Sequence, residues 1–143
     1  MLISPPFLTT RAANQQDDDW IDNAMPGGQP RDGAFPVSLN LGWHGGPHIP
    51  APMNGTEALP VRAIADGTVV YLRQPTATNT DPHHALNYGG GWTHDGVVVV
   101  RHETRVGDGD NAQVTFFSIY MHLSSIDTNV QQGRPIYRKY PIG

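Results

Sequence analysis

Val61-Arg62-Ala63-Ile64-Ala65-Asp66-Gly67-Thr68-Val69-Val70-Tyr71-Leu72 is the stretch whose reading decides the fold. Apolar and β-branched residues, the types that suit extended backbone, stand on both sides of Asp66-Gly67. Asp-Gly between two such runs predicts a tight hairpin, because both central residues of that turn need positive φ. The stretch therefore predicts two short strands joined at Asp66-Gly67.

Downstream the same grammar continues. Gly96-Val97-Val98-Val99-Val100 predicts a buried strand, flanked by His94 and followed by Arg101-His102. Val114 to Met121 predicts the next strand, with His122 at its end, and Arg105 to Asn111 a hairpin loop between the two. Gly107-Asp108-Gly109-Asp110 within that loop has the look of a calcium loop but lacks its downstream Glu, so a turn is the better reading. Ser124 to Asp127 and Gln132-Gly133 predict turns, with Pro135-Ile136-Tyr137 extended after them.

Upstream, Val37, Leu39 and Leu41 alternate with polar or small residues, so Phe35 to Pro52 predicts a β-like approach to a histidine-bearing stretch. Residues Met1 to Phe35 are poorly patterned and predict a lead segment. Asp17-Asp18-Asp19 before Trp20-Ile21 places acids where a helix dipole favours them, which predicts one short helix near residues 17 to 25. Gln74 to Trp92 predicts a long surface loop in which His83 and His84 face solvent.

At 143 residues the chain is of single-domain size and long enough for one real core. Its 16 Gly, 13 Pro and 15% charged residues favour short elements and many turns. The fold class expected is mostly β: an antiparallel β-sheet domain with long loops, spanning residues 36–143 behind a lead segment 1–35. A formal net charge of −4 gives no overall basic stripe for nucleic acid or an anionic membrane, and no apolar run reaches membrane-spanning length. The N-terminus lacks a basic region followed by a continuous apolar one, so export is expected by a route other than an ordinary signal peptide.

Without Cys, any metal must rest on His, Asp or Glu. His44 and His48 are the candidate ligands. Gly45, Gly46 and Pro47 between them disfavour a helix, so convergence of the two imidazoles would come from a tight turn leading into a strand.

The order of pieces resembles the M23 family of zinc metallopeptidases, the lysostaphin- or LytM-like peptidoglycan endopeptidases. The resemblance is carried by His44-x-Gly46-x-His48, Leu59 to Val70, Val97 to His102, Tyr120-Met121-His122-Leu123-Ser124, Val130 to Gly133 and Pro141-Ile142-Gly143. It implies a LytM-like "duplicated hybrid motif" sheet, Zn2+ held by His44 and His48, and His122 as a catalytic residue near the metal. His48 stands where the family has Asp, and the family's closing His-x-His does not follow Gly143 in this sequence. The resemblance therefore implies a fragment of a longer enzyme, a strand supplied by a second polypeptide segment, or an inactive relative that binds without cutting. The substrate implied is the cross-linking peptide of bacterial peptidoglycan. Delivery to the periplasm or cell wall as a phage lysin or antibacterial toxin is the implied setting, with an inhibitor or immunity protein as a further expected partner.

Overall fold

The computed structural model describes residues 1–24, 49–88, 90–109 and 112–143. The expected alternation at Val37, Leu39 and Leu41, the domain boundary at residues 35 and 36, and both candidate ligands His44 and His48 lie outside the described residues. The chain falls into two units, one of Pro5–Val61 and the other of Met1–Ser4 with Arg62–Gly143.

In the first unit the expected helix forms as α1, Asp17–Ala24, with Asp17, Asp18 and Asp19 in its first turn. Those carboxylates sit against unpaired backbone N–H groups, where negative charge is favourable. Arg11 pairs with Asp17, and the indole N–H of Trp20 donates to the carbonyl of Thr9 at 3.1 Å. Two short strands, β1 (Met53–Asn54) and β2 (Glu57–Ala58), pair antiparallel around Gly55, whose φ of +66° suits a residue without Cβ.

The second unit holds the main sheet. Its strands are β3 (Gly67–Arg73), β6 (Gly96–Arg105), β7 (Gln113–Leu123) and β8 (Pro135–Ile136), in the order β7-β6-β3-β8. Between β3 and β6 a small ribbon, β4 (Asn87–Tyr88) with β5 (Gly91–Trp92), turns at Gly90. Every described pairing is antiparallel, and the protein is mostly β as its patterning requires. The loop expected at Arg105–Asn111 does join β6 to β7, closing with Arg105 opposite Gln113.

Alternation fixes one buried face. Val98, Val100 and His102 on β6 stand in register with Tyr120, Ser118 and Phe116 on β7, and Val69 on β3 lies opposite Val100. Val98, Val100 and His102 are fully buried, and Val69 nearly so. Each buried valine contributes about 1.5–3 kcal/mol relative to an exposed one. Ala63, Ala65, Ile126, Val130, Ile136 and Ile142 complete this core.

One expectation fails at the stretch that opened the reading. Val61 to Ala65 does not return as a strand paired with β3. Instead Arg62 bridges Pro141, and Gly67 is the first residue of β3 itself. The reason is close packing rather than turn geometry. A Cβ on Gly67 would lie 2.5 Å from the carbonyl oxygen of Arg101, 2.7 Å from Val100 Cγ1 and 2.8 Å from His102 Nδ1. Asp66 is equally committed, its carboxylate accepting the backbone N–H of Arg138 at 2.6 Å and its carbonyl bonding His102.

The loop over Gln74–Trp92 is tied at its base. Asp95 accepts from the backbone N–H and the hydroxyl of Thr76, at 2.6 and 2.8 Å, and pairs with Arg73. His83 is exposed as expected. His84 is not: it is half-buried, with its ring 5.0 Å from that of Trp92, and its Nδ1 accepts the N–H of Leu86 at 3.1 Å.

Candidate active site

Near its end β7 carries a bulge. Tyr120 pairs with Val98 and Leu123 with Gly96, so Met121 and His122 together oppose the single residue Val97. A bulge of this kind bends the strand and re-aims the side chain at the extra position. His122 takes that position with φ +58°, a left-handed conformation that costs a residue with a Cβ about 1–2 kcal/mol. Gly96 makes the bulge sterically feasible from the other side, since a Cβ there would sit 2.5 Å from the carbonyl oxygen of Leu123.

The imidazole of His122 is oriented by the chain just before β6. Its Nδ1 lies 3.0 Å from the carbonyl oxygen of His94. A carbonyl only accepts, so Nδ1 carries the proton, and in the neutral ring the lone pair belongs to Nε2. His122 is exposed, which leaves Nε2 available to a water, a substrate or a metal. Second-sphere anchoring of one imidazole nitrogen by a carbonyl is the usual way such a ring is fixed for ligation or proton transfer. Strain combined with orientation at an exposed histidine makes this position the candidate functional residue of the described sheet.

His102, on the neighbouring strand β6 and on the buried face, does a different job. Its Nδ1 donates to the carbonyl of Asp66 at 2.8 Å, so Nε2, 2.8 Å from Ser118 Oγ, accepts the serine proton. Ser118 Oγ lies 3.1 Å from the hydroxyl of Tyr120, which accepts the N–H of Ile64 at 2.9 Å. One direction of donation satisfies the whole set: Ile64 N–H to Tyr120, Tyr120 O–H to Ser118, Ser118 O–H to His102, His102 N–H to Asp66. The ring also stacks on Phe116, with centroids 4.6 Å apart. Burial pushes the Tyr120 phenol above its usual range, against the opposing effect of its hydrogen bonds. The relay is internal to the core.

The sequence did not point to His94, Ser118 or Tyr120 as partners of the two histidines. His94 acts through its carbonyl, which no side-chain pattern encodes. Ser118 and Tyr120 do leave a trace, as polar groups at positions of β7 that share a face with β6 His102. Among the described residues no three His, Asp or Glu side chains gather as a metal cluster, and His44 and His48 are not among those residues. The indole N–H of Trp92 is buried without an acceptor among the described residues.

No family model, no curated protein and no solved structure matches this chain, so its resemblance to zinc peptidases rests on the residues themselves.

Proposed function

We propose that the protein is a zinc-dependent endopeptidase of LytM-like type that hydrolyses peptide cross-links of bacterial peptidoglycan, working in the periplasm or cell wall as a lysin or antibacterial toxin. The observation that carries this reading is His122: a strained, exposed imidazole whose Nδ1 is held by His94 so that Nε2 alone faces the reaction.

The two candidate donors, His44 and His48, are of the type zinc takes, and a third would have to join them. The chain has seven His and no Cys, and imidazole nitrogen is a preferred zinc donor. His44 and His48 would hold the ion, which supplies polarisation of the scissile carbonyl and a more acidic water. The chain's own contribution is made at Nε2 of His122. As the water oxygen bonds to the peptide carbon, Nε2 accepts the proton that the water loses; when the C–N bond breaks, the same nitrogen returns a proton to the leaving amine. Throughout, the Nδ1–H bond to His94 stabilises the ring while it is cationic and keeps it from rotating. Among the described residues no helix is long and apolar enough to cross a membrane.

The test is the release of new amino groups from purified peptidoglycan, with zinc measured on the same protein. Activity should vanish in His122→Ala with zinc retained, and zinc should be lost in His44→Ala and His48→Ala. Sedimentation with peptidoglycan without any released amine would replace the enzyme by a non-catalytic binding or regulatory module.

A further inference from the structure

The described cations are not spread evenly. Arg11, Arg73 and Arg101 have carboxylate partners, at Asp17, Asp95 and Glu103. Arg62, Arg105, Arg134, Arg138 and Lys139 have no salt-bridge partner among the described residues; Arg105 ends β6, whereas Arg138 and Lys139 follow β8, Arg134 immediately precedes it and Arg62 reaches Lys139. The Arg62 guanidinium donates to the carbonyl of Lys139 at 2.8 Å, while the N–H of Lys139 donates to Ala63 at 2.8 Å. Arg134 is exposed three residues before Tyr137, so their Cα atoms are at most about 11 Å apart. The Asp66 carboxylate accepts the backbone N–H of Arg138, and the half-buried Arg138 guanidinium donates to Ser4 Oγ at 2.5 Å. Four cations lie along this segment on a chain whose formal net charge is −4.

Two tyrosines stand in the same turn. The N–H of Tyr140 donates to Tyr137 at 3.0 Å, and Lys139 between them holds φ at +71°, a conformation disfavoured for lysine. The turn brings the two rings to 5.8 Å at 61° to one another, with 55% and 56% of the residues exposed.

We infer that Tyr137 and Tyr140, with Arg62, Arg134, Arg138 and Lys139, form a binding platform for an anionic polysaccharide. Each tyrosine face takes the C–H face of a pyranose ring, and the guanidinium and ammonium groups pair with the acidic substituents. The angle between the rings decides against single-stranded nucleic acid, whose stacked bases are held parallel, whereas sugar rings twist about each glycosidic bond. The platform lies wholly within the unit formed by Met1–Ser4 and Arg62–Gly143, and it stands independently of any catalysis at His122.

The experiment compares, on the full chain, binding of polygalacturonate, polyglutamate, neutral dextran and oligo(dT) by calorimetry. Polygalacturonate should bind most tightly, with the affinity falling as salt rises. Replacing both rings, Tyr137→Ala with Tyr140→Ala, should weaken polygalacturonate about tenfold and leave polyglutamate nearly unchanged, while Tyr137→Phe with Tyr140→Phe retains binding. Arg134→Gln with Lys139→Gln should weaken both polyanions, and unchanged thermal unfolding of each variant shows that the fold is intact. Equal binding of polygalacturonate and polyglutamate, tighter binding of oligo(dT), or no binding of polygalacturonate overturns the inference.

Discussion

Nδ1 of His122 lies 3.0 Å from the carbonyl oxygen of His94, across a bulge in which two residues of β7 face one of β6. Stability and activity therefore pull apart at His122. Glycine accepts φ +58° without a Cβ penalty, and alanine does not. His122→Gly is expected to be about 1 kcal/mol more stable than His122→Ala in urea unfolding, after allowing for the greater freedom of glycine in the unfolded chain. Both variants should lose peptidoglycan cleavage completely. Equal stability of the two would remove the case for strain at this residue.

Gly67 is expected to be intolerant of even one methyl group. Its Cβ position meets backbone at Arg101 and side chains at Val100 and His102, on the most buried face of the sheet. Gly67→Ala should destabilise the protein by roughly 1–3 kcal/mol, as overpacking does. Chemical denaturation reads this directly. A neutral substitution would mean that β3 and β6 can separate freely at Arg101.

The buried relay makes Ser118 and His102 energetically coupled. Ser118→Ala leaves His102 Nε2 without its donor and the Tyr120 hydroxyl without its acceptor, at a cost of about 1–3 kcal/mol. In His102→Phe the ring can still stack on Phe116, and the loss of Ser118 should matter less on that background. A double-mutant cycle is expected to give a coupling of about 0.5–3 kcal/mol; additivity within error would show that the relay is not a unit.

Asp95 sets an acid limit on the loop at residues 74–92. Hydrogen bonds from the backbone and side chain of Thr76, then the charge of Arg73, hold its carboxyl below the ordinary value of 3.8. Because the folded form binds this proton less readily than the unfolded one, the stabilisation is fully present above pH 3.8 and is lost as pH falls below it toward the lower folded value. Asp95→Asn should remove that part of the acid dependence while changing little between two neutral pH values. Amide exchange at Thr76, followed as pH is lowered, is the measurement; identical profiles for variant and parent would refute the link.

Local chemistry was legible in the chain. Alternation placed β6 and β7 and the loop between them, because side chains in extended backbone point to opposite faces with period two. The acidic run Asp17 to Asp19 marked the start of α1, since the preference of acids for that end needs only neighbouring backbone N–H groups. His122 was identifiable as a residue of interest at a strand end. Nothing local, however, distinguishes its bulge from a regular ladder.

What the tertiary structure alone decided depends on residues far apart in the chain. Asp66-Gly67 reads as a hairpin from its own two residues, yet Gly67 is required by the approach of Arg101 and His102, more than thirty positions away. His122 is aimed by a backbone carbonyl at His94, an atom every residue has and no pattern can single out. The proton order of the relay from Ile64 to Asp66 likewise follows from which acceptor the sheet register delivers to His102. The sequence by itself determined α1, β6, β7 and the loop joining those two strands, because those preferences act over a few residues. Register, close approach and the partners of buried polar groups arise only when distant strands meet, so only the folded sheet could decide what Gly67, His102 and His122 do.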